Sequence, residues 1–207
     1  MHILKILFKN AFRHKLRTGL TVISIMIALL AFGLLRTVIN AWYAGVEASS
    51  AYRLVTRNAV SIIFPLPLSY KDRIRQVDGV LEVSWGNWFG GIYIDEKNFF
   101  ANFAVDAQTY FDLYREYVLP DDQKAAFLRD RKGFVTGQKL ARRFGWKIGD
   151  IVVLKGTIFP GNWEFVVRGI YHGRDPNVDE TVFVFHWDYL NESLKKASST
   201  RVDQVGF

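Results

Sequence analysis

The run LTVISIMIALLAFGLLRTVI, residues 20–39, constrains the chain more than any other stretch. Its twenty residues carry a single charge, that of Arg36. A helix rises about 1.5 Å per residue, so twenty residues cover roughly 30 Å, the thickness of a bilayer's hydrocarbon core. A helix pairs all its backbone groups internally, which lipid demands. Residues 19–44 are therefore predicted to form a membrane-crossing helix. Thr21 and Ser24 can return their hydroxyls to the helix backbone. Arg36 lies near one end, where its long stem can carry the guanidinium to the interface, and Trp42 and Tyr43 follow at the depth of aromatic belts. Two other readings compete, a cleaved leader and a buried core helix. A leader would have an apolar core of about 7–15 residues ended by small residues. The longer run here and its bulky outer flank, NAWYAG, favour an uncleaved anchor.

The charge distribution supports a membrane rather than nucleic acid. The chain has 27 Lys and Arg against 20 Asp and Glu, a net charge of +7. Residues 1–18 hold five of the basic residues and no acid, so the rest of the chain is nearly balanced. A nucleic-acid footprint needs a basic face on the folded domain. A basic block before an apolar helix instead sets topology, keeping the N-terminus in the cytoplasm and residues after about 44 outside. Residues 1–18, with Ile3, Leu4, Leu7 and Phe8 against Lys5 and Lys9, are expected to form a basic amphipathic leader on the cytoplasmic side, whose charges set topology and lipid contact. The absence of cysteine excludes disulfides, thiol catalysis and Cys-ligated metals.

Half the residues are hydrophobic and 15% aromatic, enough for a substantial core. No second stretch approaches eighteen apolar residues, so the chain is expected to span once. Residues 41–55 could prolong the helix, and 61–68 (SIIFPLPL) read as a short β run ended by prolines. Ser69 with Asp72 makes a capping box for a helix over 69–79, with Tyr70, Ile74 and Val77 on one face and Gly79 at its end. VLEVSW (80–85) reads as a strand. Residues 91–94 and 100–107 read as the two strands of a hairpin. Residues 108–130 have helical character split by Pro120. FVTG is a strand end, QKLARRFG a helix stopped by Gly145, KIGD a turn and IVVL a buried strand. Two β-rich runs, 163–171 and 181–187, flank a polar loop too long for a tight hairpin. ASST (197–200) reads as a loop. The body is thus predicted to be α+β, a domain of mixed short strands and helices over 45–207, with two subdomains meeting near 120–133.

The search for chemistry is negative. GFVTGQK lacks the Walker spacing and the hydroxyl residue after Lys139, so it reads as a strand–turn–helix junction. GNWFGG lacks a dinucleotide spacing. His172 and His186 bracket Asp175, Asp179 and Glu180, but no spacing puts them on one face, so a solvated loop is the plainer reading. Ser69, Ser84 and Ser193 sit in no nucleophile elbow. The acidic pairs 95–96, 121–122 and 179–180 are neighbours in sequence, whose side chains point apart. Trp85, Trp88 and Phe89, among glycines, could form an exposed apolar lip for a ligand. No catalytic, cofactor-binding or metal-binding residue is assigned, and the chain is expected not to be an enzyme.

The order of motifs resembles that of MacB/FtsX-type ABC transporter permeases. Residues 10–29 match their start, through Asn10, Arg13, Lys15, Arg17, Thr18, Leu20 and Thr21. RIRQVDGVLEVS (73–84) is similar to the family's helix, then Gly-Val, then strand. Residues 133–154 are similar to its Gly–Leu-Ala…Gly-Asp element through Gly137, Leu140, Ala141, Gly149 and Asp150, and FVVRGIY and TVFVFHWDYL fit the strands that follow. The resemblance implies a non-catalytic membrane subunit working with an ABC ATPase, in a separate or fused chain, and pairing as a permease homo- or heterodimer. It also implies an extracytoplasmic domain that moves as ATP is hydrolysed, in export or envelope-associated transport. Family members carry three further membrane helices after this domain, so the chain is expected to be a fragment of such a subunit, or to have its other half in a separate chain, or to come from a truncated gene. The alternative is a single-pass, membrane-anchored binding module with no transport role. The polypeptide should stay in the membrane pellet after alkaline extraction, and protease added to intact spheroplasts should reach the tryptophan-rich region; release by alkali would overturn the anchor.

Overall fold

The computed structural model describes residues 12–47, 53–60, 64–197 and 204–205, with side chains for 13–40, 53–60 and 64–194. The leader up to Ala11, residues 61–63 of the predicted β run, 198–200 of the predicted loop, and the side chains of Trp42 and Tyr43 lie outside the described residues. The chain divides into two units, one ending at Ala51 and one running from Tyr52 to Phe207.

In the first unit a 3-10 turn, Phe12–His14, leads into α1, Lys15–Glu47, a helix of 33 residues. Thr21 Oγ1 donates to Arg17 O (2.9 Å) and Ser24 Oγ to Leu20 O (2.8 Å), as expected, and Thr37 Oγ1 does the same to Gly33 O (2.9 Å).

The second unit is α+β. Its main sheet joins β2 (Gly86–Trp88), β4 (Asn102–Val105), β9 (Phe183–His186), β6 (Gly133–Gly137), β8 (Gly161–Gly173), β7 (Ile151–Gly156) and β3 (Gly91–Ile92), in that spatial order, and β5 (Tyr117–Val118) pairs with β8. The pairs β4–β9 and β6–β8 are parallel and the others antiparallel. Strands on either side of 120–133 share this sheet. A separate two-stranded ladder pairs β1 (Leu66–Pro67) with β10 (Gln204–Val205), drawing the two ends of the unit together.

The central strands are buried on both faces, so FVFH and GFVTG show no apolar–polar alternation and even Thr136 and His186 are buried. On one face Phe134, Phe165, Phe183 and Phe185 pack under α5 (Gln138–Phe144) and α6 (Trp187–Ala197), through Leu140, Ala141, Trp187 and Leu190. On the other, Val105, Val135, Val184 and Tyr171 pack under α3 (Tyr110–Leu113) and α4 (Asp121–Arg129), through Tyr110, Phe111 and Phe127. Strand β8 serves both layers because a bulge interrupts it. Phe134 pairs with Val167 but Val135 pairs with Gly169, so Arg168 is the extra residue. Before it Trp163, Phe165 and Val167 enter the first layer; beyond it Ile170 packs there and Tyr171 enters the second. The Arg168 guanidinium is held by Asp130 at 2.7 Å.

The strand, helix and turn of 133–154 follow their expectation, but IVVL is not a buried strand: Val152 and Leu154 enter the core while Ile151 and Val153 are exposed, because only one face of that strand is covered. β6 runs into α5, and Gly145 ends the helix in the left-handed region, with φ +72°. The turn through Gly149 (φ +95°) then leads into β7. Pro120 does divide the helical stretch, and Asp121 and Asp122 occupy the first turn of α4.

Four more local expectations are corrected. The helix after Ser69 is only α2, Tyr70–Arg75; Ser69 makes no side-chain cap bond and no residue of α2 is buried. Its apolar face has nothing to cover, and Val77 remains 59% exposed. Residues 80–85 form no strand. The partner strand β4 ends at Val105, opposite Gly86, so pairing begins where the sequence turns glycine-rich. Residues 91–94 and 100–107 do not pair as a hairpin. Asn102 takes up Gly91 with its side chain, Oδ1 accepting from Gly91 N (2.7 Å) and Nδ2 donating to Gly91 O (2.9 Å), and β3 pairs with β7 instead. Residues 108–118 give a single helical turn, α3, because Tyr117–Val118 pair with the end of β8 and Pro120 disfavours helix at Leu119.

Phe183 is fully buried and stacks on Phe134 at a centroid distance of 4.0 Å. Phe183→Ala should lower stability by about 3–5 kcal/mol in urea denaturation of the full chain in detergent. A Cβ at Gly137 would lie 2.1 Å from the backbone oxygen of Glu180. Gly137→Ala should therefore cost about 1–3 kcal/mol in the same assay although it adds one methyl group.

Candidate functional site

The most constrained surface is that of α1. Within Lys15–Asn40 an 18-residue window reaches a mean hydropathy of 2.4 and none of it is buried within the chain, so the helix is long and apolar enough to cross a membrane. The hydroxyls of Thr21, Ser24 and Thr37 are tied to carbonyls one turn back, so these three offer no unpaired donor to lipid. Arg36 sits four residues before Asn40, about 6 Å along the axis.

The candidates for chemistry are dispersed. His172 is exposed at the end of β8, and His186 is buried on β9. Strand β6 separates them: Phe185 lies opposite Phe134, and Tyr171 opposite Gly137. The two histidines thus sit at opposite ends of β6, roughly 16 Å apart along the strand direction. The acids between them have other partners. Asp179 Oδ1 accepts from Thr181 N (2.8 Å), and Glu180 Oε1 from Gly173 N (2.9 Å). Among the described residues no three or more His, Asp or Glu side chains gather as metal ligands would. Asp95 Oδ1 holds a turn, accepting from Lys97 N and Asn98 N. Ser84 Oγ is buried without a hydrogen-bond partner.

The start of α5 offers no phosphate cradle. Gly137 N donates to Val182 O (3.1 Å) and Leu140 N to Glu180 O (3.2 Å), so protein carbonyls occupy the amides that a nucleotide would need. The strand–turn–helix reading of GFVTGQK accords with this geometry.

The aromatic lip is not formed. Phe89 is fully buried, with Trp163, Phe165 and Phe185 edge-on to it at 5.1–6.1 Å. Trp85 meets Trp187 edge-on at 6.4 Å, and the Lys71 ammonium stands 4.2 Å over its ring. Trp88 is exposed beside Phe99 and Phe103, and Trp85 is half-buried. Residues adjacent on a strand point to opposite faces, which separates Trp88 from Phe89.

Sequence reading missed a tyrosine ladder. Tyr110 stacks on Tyr114 (4.4 Å), Tyr114 on Tyr117 (5.6 Å) and Tyr117 on Tyr171 (4.4 Å). Arg53 closes it: its guanidinium lies 4.0 Å over Tyr114 and 2.6 Å from Glu116 Oε1. Burial pushes the Tyr117 phenol up to about 12 and raises Tyr171 further, so both stay protonated and neutral at ordinary pH. Tyr171 donates to Asp179 O at 2.6 Å. The spacing 110, 114, 117 was the available signal; the partner Arg53 lies 61 residues from Tyr114 and left none.

His186 is a core residue. Its Nε2 lies 2.7 Å from Phe127 O and its ring packs 4.3 Å from that of Phe127. The neutral tautomer with Nε2–H donates this bond. Burial holds the imidazole below its ordinary value of 6.5, against the smaller opposing effect of the Phe127 carbonyl.

The second unit is thus a mixed-sheet α+β domain in a chain that also carries an exposed apolar helix. No protein-family model and no curated protein matches the chain. Among solved structures, it is similar to the extracellular domain of the noncanonic ABC-type transporter YknZ from Gram-positive bacteria, at 15% identity and TM-score 0.47, over 69% of this chain and 70% of that one. It is also similar to the periplasmic region of MacB from Actinobacillus actinomycetemcomitans, at 12% identity and TM-score 0.46, over 68% of this chain and 63% of that one. A third is a domain of a putative permease protein from Porphyromonas gingivalis, at 14% identity and TM-score 0.39, over 57% of this chain and 56% of that one.

Since the folded His186 binds its proton more weakly than the unfolded one, stability is complete above pH 6.5 and declines as pH falls below it. His186→Gln, which keeps a donor for Phe127 O, should flatten this decline when urea midpoints at pH 7.5 and pH 5 are compared in detergent.

Proposed function

We propose that the chain is the N-terminal portion of the membrane subunit of an ABC-type transporter and has no catalysis of its own. A partner ATPase hydrolyses ATP in the cytoplasm. The chain couples that hydrolysis to movement of its extracytoplasmic domain, in export or envelope-associated transport. In this reading residues 1–18 lie at the cytoplasmic face, 19–44 cross the membrane and 45–207 stand outside. Two permease chains, alike or different, pair in the bilayer.

One observation carries the reading. The basic pattern through Asn10, Arg13, Lys15, Arg17 and Thr21 leads directly into a helix that is exposed along its whole apolar length. The positive-inside bias of that block supports the orientation. The body motif adds support through the structural work of its residues. Gly137 admits the Glu180 backbone, Leu140 and Ala141 enter the core, and Asp150 Oδ2 accepts from Lys147 N at 2.8 Å.

The chain has no cysteine, so single cysteines report its orientation cleanly. In intact cells a membrane-impermeant maleimide should label Leu81→Cys, at a side chain 96% exposed, and leave Lys15→Cys unlabelled. The tagged chain should co-purify with an ATPase whose stimulated hydrolysis is lost when the chain is removed. Reversed labelling sinks the orientation; an unaffected ATPase leaves a membrane-anchored binding module.

A further inference from the structure

Beside α5 the surface sinks into an open groove of about 270 Å³. Ala141, Trp146 and Ile170 form its apolar floor, and Gln138, Arg142 and Lys147 stand around it. Trp146 is anchored from below, T-shaped against Phe134 and Tyr93, so the floor is rigid.

The charge around this groove has one sign. Residues 138–149 hold four basic residues and no acid, and Asp150, which follows, turns its carboxylate to the Lys147 amide. Several cations of the domain are paired: Arg131 with Asp188 and Glu192, Lys132 with Glu164, and Arg168 with Asp130. On α5 itself Lys139 reaches Glu180, and Arg143 lies over the Phe144 ring. Arg142 and Lys147 are exposed and have no carboxylate within ion-pair distance among the described residues. A rigid apolar floor between two uncompensated cations is complementary to a ligand with an apolar group between two carboxylates.

The size narrows the ligand. Drug-sized pockets run about 300–1,000 Å³, so this groove holds one side chain and its neighbouring polar groups. In an extended chain, side chains on one face recur about every 6.6 Å. We propose that the groove binds an extended acidic segment of a partner polypeptide. One apolar side chain rests on Trp146 and Ile170, and flanking carboxylates meet Arg142, whose planar fork favours bidentate pairing, and Lys147. The proposal concerns the domain surface alone and is independent of any role in transport.

The test uses the full chain in detergent and a fluorescein-labelled heptapeptide alternating leucine and glutamate, read by anisotropy at low and high salt. Binding should weaken at high salt, and a peptide with glutamine for glutamate should bind about tenfold more weakly. Arg142→Glu with Lys147→Glu should lower affinity for the acidic peptide about tenfold or more, while Lys97→Glu, outside the groove, leaves it unchanged. Both altered side chains are solvent-exposed, and an unchanged urea midpoint shows that the fold is kept. If the midpoint falls, Arg142→Gln with Lys147→Gln replaces that pair, with the same loss expected. Equal binding by the groove variant, or equal binding of the glutamine peptide, would overturn the proposal, because partition into micelles does not depend on Arg142 and Lys147. Capture of phosphatidylglycerol vesicles through these residues, without peptide binding, would assign the groove to lipid and also overturn it.

Discussion

The domain depends on the burial of one short strand from both sides. β6 lies between β9 and β8, so its backbone groups are paired on both edges and its side chains covered on both faces. Phe134 faces one layer and Val135 the other. Two separate sets of helices must then cover the sheet. α5 and α6 do so with Leu140, Ala141, Trp187 and Leu190, α3 and α4 with Tyr110, Phe111 and Phe127. The second layer owes part of its order to aromatic stacking, and the tyrosine ladder extends it to the chain's first described residue in this unit, Arg53.

Polar groups in the interior are used for positioning. Asn102, almost fully buried, fixes Gly91 by its side chain and so directs β3 toward β7. Asn87 accepts from Trp187 Nε1 at 3.0 Å and ties α6 to β2. His186 fastens β9 to Phe127 at the end of α4. Each would be costly to bury alone, and each has a partner that holds two elements in place. They leave the reactive side chains apart from one another.

The sequence was most legible where one segment decides its own structure. The helix of residues 20–39 needs only its composition, and 133–154 is punctuated by Gly137, Gly145 and Gly149. Legibility failed where a distant partner decides. Residues 80–85 have the composition of a strand but lie beyond the end of β4. The stretch 91–107 seemed a hairpin because the side chain of Asn102 could not be foreseen doing backbone work. The groove beside α5 was visible only as an excess of Lys and Arg in 138–149. Its apolar floor joins Ala141 and Trp146 to Ile170, which β8 brings in from outside any local pattern.

The extra residue at Arg168 makes β8 intolerant of changes in count where it would tolerate changes in kind. Deleting one residue there would swap the destinations of Ile170 and Tyr171, driving a phenol bonded to Asp179 into the phenylalanine layer and removing Ile170 from the groove it lines with Trp146. An insertion of one residue upstream would transpose Trp163, Phe165 and Val167 in the same way. Descendants of this chain are therefore free to vary the chemistry of that strand far more than its arithmetic.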